Sequence, residues 1–326
     1  MRPGPVSTDT SLKGKLVSVT GDLTSAETLS DGLYLKPGKY IAVDRKVEMW
    51  AWVERTQTKT ETKVGGAEET TTTYTYEKDW VEDPERSSDF RYPEGHENPA
   101  KTLESASKNV SRAQIGVYDL NMAKVELPET SPLALTADNT VLSGGAVLAS
   151  EEFIFIGKTV GSSLASPEVG DLRVSYKVLE SGIKATVFGA LDGSAISSFI
   201  DEDNHEIYRV FAGTRAEAVA TLHEEFVLPS WILRILGFLA MWIGLSSLFE
   251  PISVLLDVLP FLGKLSRTAV GIVTFLVSLV LTILTILISR LLYNPLLLAI
   301  VLIAAAGLFI RAYKKKRLAL PLSSGK

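Results

Sequence analysis

The chain has 326 residues, a net charge of −5 at pH 7 and no cysteine. The lack of cysteine excludes disulfides and thiolate metal sites, and we expect no cofactor and no nucleic-acid partner for this slightly acidic chain. Residues 1–229 are long enough for one large domain or two small ones.

The first part of the chain carries patterns typical of strands and turns. Lys15–Thr20 begins with alternating apolar residues and precedes a Gly-Asp turn. Tyr34–Val47 contains the turn Pro37-Gly38 between strand-like flanks. We therefore predict a β-rich α+β soluble domain over residues 1–229. It is folded as a barrel or as a sandwich, and periodicity does not choose between them.

A long hairpin is the most distinctive feature of this domain. Its arms, Val47–Lys63 and Glu69–Trp80, flank a Gly-Gly turn, and β-branched or aromatic residues alternate with charges on both arms. Far from its tryptophans neither face is apolar enough to bury, so the tip projects into solvent or is covered by another subunit. The predicted partner-contact residues are Trp50, Trp52, Thr56, Thr58, Thr60, Thr62, Tyr74 and Tyr76.

Two helices are predicted after the hairpin. Asn98-Pro99 is a typical helix entry, so Ala100–Val110 is predicted to form a short polar helix. Thr214 and Glu217 form a capping box, which predicts a second helix that leads into the first apolar segment.

Three apolar segments predict a membrane anchor over residues 230–311. Thr268–Ser289 has 22 residues without a charge, and 14 of them are Leu, Ile, Val or Phe. At about 1.5 Å per residue, this length crosses a hydrocarbon layer of about 30 Å. Trp231–Phe249 and Leu291–Ile310 are similarly apolar, so we predict three transmembrane helices. Residues 252–263 are apolar but short, which predicts an interfacial or re-entrant segment.

Ionisable residues near these segments are expected inside the membrane or at its surface. They are Arg234, Glu250, Asp257 and Arg290. A basic cluster predicts that residues 312–326 form a cytoplasmic tail, and its members are Arg311, Lys314, Lys315, Lys316 and Arg317.

Three crossings place the β-rich domain on the side away from the cytoplasm: the periplasm, the cell exterior or an organelle lumen. Residues 1–39 contain no signal region that would export it. Either an upstream span has been removed, or the domain is cytoplasmic and the basic tail does not mark the orientation of the chain in the membrane.

No catalytic residue and no metal ligand is predicted. The three histidines, His96, His205 and His223, are far apart and lack metal-ligand spacing. Gly157-Lys158-Thr159 resembles the end of a phosphate loop, but Glu152 occupies the position where that loop requires glycine.

Several blocks of the sequence together resemble the transmembrane protein 43 (LUMA) family. The resemblance runs in order from about Gly14 to Ile310, nearly the whole chain. The blocks include VEMWAWVE at Val47–Glu54, GHENP at Gly95–Pro99, SPEVGDLRVSY at Ser166–Tyr176, GFLAMWIGL at Gly237–Leu245 and LLYNPL at Leu291–Leu296. The specific ones are PEVGDLRVS and the block of the first span.

The resemblance implies an N-terminal span, a large lumenal domain and three closely spaced C-terminal spans. Relative to that pattern, we expect the N-terminal span to be missing from this chain, since residue 1 falls roughly where the lumenal domain would begin. In animals the family belongs to the endoplasmic reticulum and the inner nuclear membrane, where it is regarded as an organiser of membrane protein complexes without established enzymatic activity. Short loops and the lack of an organellar signal favour a bacterial member.

Three hypotheses of function follow. The first is a non-enzymatic integral membrane scaffold whose partners are the lipid bilayer, further copies of the chain and other membrane proteins. The alternative is a transporter or channel component with a functional carboxylate at Asp257. The third is a membrane-tethered hydrolase that acts through His96.

Overall fold

The structure is a computed structural model that describes residues 12–62, 68–256 and 260–292. The chain forms two compact units that divide between Thr221 and Leu222. Strands dominate the first unit and helices the second.

The described part of the first unit contains long and short strands. The long strands are β1 (Leu16–Thr24), β2 (Tyr40–Thr62), β3 (Glu68–Val81), β10 (Leu172–Glu180) and β11 (Ile183–Asp192). The short strands are β4 (Ala106–Asn109), β5 (Ala113–Ile115), β6 (Tyr118–Leu120), β7 (Ser131–Pro132), β8 (Ala146–Leu148), β9 (Ile154–Ile156), β12 (Ala195–Ser197), β13 (Phe199–Ile200), β14 (Glu206–Ile207) and β15 (Arg209–Ala212).

Five strands close into a small barrel. They follow the order β1-β5-β6-β12-β11, and β1 pairs with β11 as well as with β5, which closes the ring. Alternate residues point inwards, so Val17, Val19 and Val187 are buried together in its core. A Cβ on Gly21 would lie 2.9 Å from the Gly116 amide nitrogen, so glycine permits the close approach of β1 to the turn after β5. Of the two predicted architectures, this part of the unit is a barrel.

A second sheet is built around β2. Its main order is β3-β2-β10-β9-β8, with β4 beside β2 and β7 beside β10. Because β2 has 23 residues, it belongs to two cores. Ile41 packs with the barrel, whereas Val43, Val47 and Met49 pack in the second core. The predicted β-rich class of the domain is confirmed.

The predicted helix over Ala100–Val110 is wrong. Ala106–Asn109 forms β4, which pairs with β2 from Ala42↔Asn109 to Arg45↔Ala106. A short polar segment gains little from an isolated helix, whereas the backbone of β2 offers it a row of hydrogen bonds.

The two long helices are α1 (Arg215–Leu256) and α2 (Pro260–Leu292). The predicted capping box begins α1, since the Glu217 carboxylate accepts hydrogen bonds from the Thr214 amide at 2.6 Å and from its hydroxyl at 2.9 Å. The helix continues through the predicted domain boundary at residue 229 without interruption.

Two stretches of these helices, Arg215–Leu248 and Gly271–Leu292, are long and apolar enough to cross a membrane. Helices of a soluble core pass the same test but are mostly buried. Here the most apolar stretch of α1 has no buried residue, and only 11% of the most apolar stretch of α2 is buried. Beyond Leu292, the predicted third span lies outside the described residues, so three spans are not confirmed. The predicted interfacial segment, residues 252–263, also falls partly outside them.

Small and aromatic side chains join α1 to α2. Trp242 donates from Nε1 to the Gly271 carbonyl at 3.3 Å, and the hydroxyls of Ser246 and Thr274 lie 3.0 Å apart. The Phe275 ring meets Trp242 edge-on at 5.3 Å. Glycine and hydroxyl residues allow close backbone approach, which is typical of helix packing in lipid.

Candidate interaction surface of the long hairpin

The hairpin of β2 and β3 carries all the residues predicted as partner contacts. Its register runs from Met49↔Val81 to Thr62↔Glu68. Successive residues of a strand point to opposite faces, so the even-numbered residues share one face, here called the even face. At the base of the hairpin the opposite face is buried, as Met49 and Ala51 show.

Near the base, aromatic and cationic side chains pack on the even face. Trp50 and Trp80 are cross-strand partners whose ring centroids lie 5.4 Å apart. The guanidinium of Arg173, on β10, lies 4.9 Å from the centroid of Trp80 and 4.5 Å from that of Phe153. Such cation–π contacts contribute about 0.5–2 kcal/mol each, so these residues fix the base of the hairpin to the sheet.

An ion-paired carboxylate continues this row. Glu48 accepts from Arg173 Nε at 2.7 Å and from Lys46 Nζ at 2.9 Å. Burial acts to raise the pKa of Glu48, but the hydrogen bonds from Arg173 and Lys46 outweigh it and hold the pKa below its ordinary value. The carboxylate therefore stays charged and bonded at neutral pH.

A loop that follows β3 covers the next part of the even face. The Tyr76 hydroxyl donates to the Glu54 carboxylate at 2.6 Å and accepts from the Tyr92 amide at 2.9 Å. The His96 ring stacks on Tyr76 with centroids 3.8 Å apart and meets Trp52 edge-on at 4.8 Å. Burial, and then the Glu54 carboxylate, raise the pKa of Tyr76. Trp52 and Tyr76, which the sequence predicts as partner contacts, thus have neighbours within their own chain.

Asn98 ends the pairing of β2 on the side of β10. Its Oδ1 accepts from the Trp52 amide at 2.7 Å, and its Nδ2 donates to the Trp52 carbonyl at 2.9 Å. The same Nδ2 also donates to the Glu85 carbonyl at 3.1 Å. The side-chain amide thus takes the place of one residue of a neighbouring strand. Sequence analysis assigned Asn98 to a helix entry, and no local pattern indicates its contact with Trp52, which lies 46 residues earlier in the chain.

The outer half of the hairpin is exposed on both faces. Thr56, Thr58 and Thr60 are all exposed, whereas Trp50 and Trp52 at the base are half-buried. Thr60 lies within hydrogen-bond distance of Thr70 across the ribbon, with their hydroxyls 3.1 Å apart. The structure therefore divides the predicted contact residues into a base with internal contacts and an outer half with a polar, open surface.

A buried charge network, which the sequence spacing did not signal, holds the chain before β2. Asp31 Oδ1 accepts from the amides of Leu33, Tyr34 and Leu35. Its Oδ2 accepts from Arg45 Nη1 at 3.0 Å and from the Tyr176 hydroxyl at 2.6 Å. All three side chains of this network are at most 9% exposed.

This environment shifts two pKa values in opposite directions. Burial acts to raise the pKa of Asp31, but the hydrogen bonds from Tyr176, from the amides and from Arg45 outweigh it and lower the pKa. Burial and the Asp31 carboxylate raise the pKa of Tyr176 far above its ordinary value. The network therefore consists of a carboxylate, a guanidinium and a neutral phenol, an arrangement that orders structure and offers no free acid or base.

The histidines have separate surroundings in the described chain. His96 Nδ1 lies 3.0 Å from the Tyr92 carbonyl oxygen, and His223 lies in α1. His205 lies with Asp201 and Asp203 in a cluster whose ligand atoms are within 4.8 Å of one another. Asp201 Oδ1 accepts from the amides of Asp203 and His205, and its Oδ2 lies 3.1 Å from His205 Nδ1. These bonds close the β13–β14 turn, which accounts for the cluster.

The predicted membrane and topology residues are only partly described. The Arg234 guanidinium lies 5.1 Å from the Trp231 ring centroid. Glu250 lies in α1 and Arg290 in the last turn of α2. Outside the described residues lie Asp257, Arg311, Lys314, Lys315, Lys316 and Arg317.

Comparison with known proteins gives consistent matches over most of the chain. A family model described as "Transmembrane protein 43" matches residues 49–295. Transmembrane protein 43 of Homo sapiens is 27% identical over 300 residues, which cover 87% of this chain and 72% of the relative. The homolog of Drosophila melanogaster is 26% identical over 310 residues, or 92% and 80% of the two chains. No solved structure matches. The matched range includes the long hairpin and both apolar helices.

Proposed function

The chain belongs to the transmembrane protein 43 family, and from this membership we propose that it is a non-enzymatic integral membrane scaffold that assembles with itself and with other membrane proteins. The observation that carries the proposal is the outer half of the long hairpin. Thr56, Thr58 and Thr60 are exposed there, and no second layer packs on them in the described chain. An isolated ribbon of this kind is marginally stable in water, so a partner that covers it stabilises it.

The polar groups of the described first unit support a structural rather than a catalytic role. The carboxylates of Asp31 and Glu48 have lowered pKa values because they are bonded to cations and donors of the fold. A general acid or base would instead have a pKa near neutrality and a free approach for substrate.

The membrane arrangement follows the family and the two apolar helices. We infer a multi-pass anchor, with the β-rich unit on the side away from the cytoplasm. In a eukaryotic host this side is the lumen of the endoplasmic reticulum or the equivalent face of the inner nuclear membrane. In a bacterium it is the periplasm or the exterior. The partners on that side are other copies of the chain and the extramembrane parts of other membrane proteins.

The experiment is a measurement of assembly in a membrane-like environment. The full chain is extracted in mild detergent and reconstituted into lipid nanodiscs of several sizes, and the number of copies per particle is measured by mass photometry over a range of protein concentrations. We expect particles with two or more copies, in excess of an unrelated membrane protein reconstituted at the same density. A strict monomer at all concentrations, with no neighbours after chemical crosslinking, would contradict the proposal.

A further inference from the structure

The triplet Asn109-Val110-Ser111 has the form that accepts N-linked glycans in the endoplasmic reticulum. None of the other five asparagines of the chain has serine or threonine two residues later. In a eukaryotic host the proposed function, on which this inference rests, places the β-rich unit in the lumen. Because so short a triplet also arises by chance, the structure around Asn109 has to show whether a glycan fits there.

Asn109 is exposed at the end of β4, the short strand beside β2. Its cross-strand partner is Ala42, and Ser107 and Asp44 form the next pair on the same face of the sheet. Val43 lies on the opposite face and packs in the second core. Among the described residues, the amide group of the Asn109 side chain has no hydrogen-bond partner. A glycan on its Nδ2 atom therefore displaces no contact of the fold.

Asn109 also lines a polar groove with a volume of about 480 Å³. Ser107, Asp44 and Lys177 line the same groove from β4, β2 and β10, and residues 125 and 127–130 line it from the chain that follows β6. The Thr130 hydroxyl donates to the Asp44 carboxylate at 2.6 Å. Hydroxyl, carboxylate and ammonium groups form hydrogen bonds with sugar hydroxyls, so the first sugar on Asn109 has polar neighbours and space.

The two residues after Asn109 are engaged in the folded unit. Val110 is buried in the core of the barrel. The amide and the hydroxyl of Ser111 both donate to the Glu27 carboxylate, at 2.9 and 2.5 Å. The triplet is therefore not free to enter the site of an enzyme that recognises the Ser111 hydroxyl. Attachment has to precede folding, while the chain enters the lumen.

We propose that Asn109 is an N-glycosylation site of the β-rich unit and that it is modified before the unit folds. The Asn109 Nδ2 atom forms a bond to the anomeric carbon of an oligosaccharide carried on a lipid diphosphate. The bond from that carbon to the diphosphate breaks, the diphosphate leaves with the electron pair, and the amide loses one proton. The attached glycan then covers the face around Asp44 and Lys177, so protein partners contact the unit elsewhere.

The experiment is translation of the full chain, preceded by a cleavable signal peptide, in the presence of microsomes. We expect one band of lower mobility, which endoglycosidase H returns to the mobility of the unmodified chain. Asn109→Gln and Ser111→Ala should each remove this band, whereas Ser111→Thr should keep it. Asn121→Gln is the matched control and should also keep it, because Asn121 lies outside such a triplet. Since attachment precedes folding, a variant that folds poorly still reports on the site.

Chains whose β-rich unit is protected from added protease are scored. In them, a missing slower band, or one that persists in Asn109→Gln, overturns the inference and leaves the proposed assembly, which mass photometry tests, untouched. Digestion of the unit in every chain would overturn the lumenal placement and the inference together. In a pulse-chase the slower band should be complete before the detergent-released unit becomes protease-resistant, and the reverse order would overturn the proposed timing.

Discussion

At the scale of single residues, the carboxylate of Asp31 is buried and accepts hydrogen bonds from five donors. One carboxylate oxygen accepts three backbone amides, and the other accepts from Arg45 and Tyr176. Its side chain is 4% exposed and that of Arg45 is 9% exposed. The negative charge of Asp31 and the positive charge of Arg45 therefore compensate each other in the protein interior. Removal of either side chain leaves the other charge buried without its partner.

We expect Asp31→Ala to lower the free energy of unfolding of the first unit by about 3–5 kcal/mol, because it leaves Arg45 charged, buried and unpaired. Urea unfolding in detergent, followed by tryptophan fluorescence, measures the change. Asp192→Ala is the control, since the ion pair of Asp192 with Lys13 is exposed and the expected effect is small.

The effect of Asp31→Ala has a defined pH dependence. The pKa of Asp31 is lowered in the folded chain, so its stabilising contribution is complete above the pKa of the unfolded carboxyl. It is lost as the pH falls through the folded pKa. The difference between wild type and variant should therefore be largest near neutrality and shrink in acid, and a constant difference over this range would count against the network.

At the scale of elements, the β2/β3 hairpin consists of two parts with different surroundings. Its base is held by Arg173, Trp80 and the loop that carries His96. Tyr74 still meets Tyr92 of that loop edge-on, with ring centroids 6.2 Å apart, whereas farther out the contacts join the two arms of the ribbon, as between Thr60 and Thr70. The boundary between the two parts is Asn98, which bonds both backbone groups of Trp52.

We expect Asn98→Ala to loosen this boundary, because it leaves the N–H and C=O groups of Trp52 without their partner. The expected cost is about 1–3 kcal/mol. Hydrogen–deuterium exchange should become faster at the Trp52 amide and in the loop that carries His96. Asn121→Ala removes a similar turn contact near β6, and exchange at Trp52 should stay unchanged in that variant. Equal exchange at Trp52 in both variants would show that Asn98 is not the residue that ends the pairing.

At the scale of the whole molecule, the number of membrane crossings decides where the β-rich unit acts. Two apolar helices are described, and the predicted third span lies outside the described residues. An odd number of crossings separates the β-rich unit from the basic tail, whereas an even number places both on one side. The two sides of a membrane hold different proteins, so the number of crossings also decides which partners the β-rich unit can meet.

We expect three crossings, and hence opposite sides, from the basic tail and the family. In sealed vesicles a membrane-impermeant maleimide should label Asp192→Cys and Lys326→Cys from opposite sides. The chain has no cysteine of its own, so each label reports a single position. Labelling of both positions from one side would rule out three crossings.

Sequence analysis found the membrane anchor and the long hairpin because both depend on patterns that are local in the chain. An uncharged apolar stretch such as Thr268–Ser289 has few alternatives to a long helix. The alternating arms around Gly65-Gly66 likewise specify a ribbon. The family blocks indicated the chain's relatives from the residues alone, and the comparisons confirmed them.

The tertiary structure decided what depends on partners distant in the chain. Closure of the barrel requires β1 to meet β11, about 165 residues later, and no periodicity records such a pairing. Residues 106–109 became a strand because β2 offered an edge, against their local preference. The hydrogen bonds of Asp31 with Tyr176 and of Asn98 with Trp52 likewise form only because the fold brings together segments that are distant in the chain. Local periodicity fixes the elements, but the pairing of backbone and charged groups across the fold determines which surfaces remain open for partners.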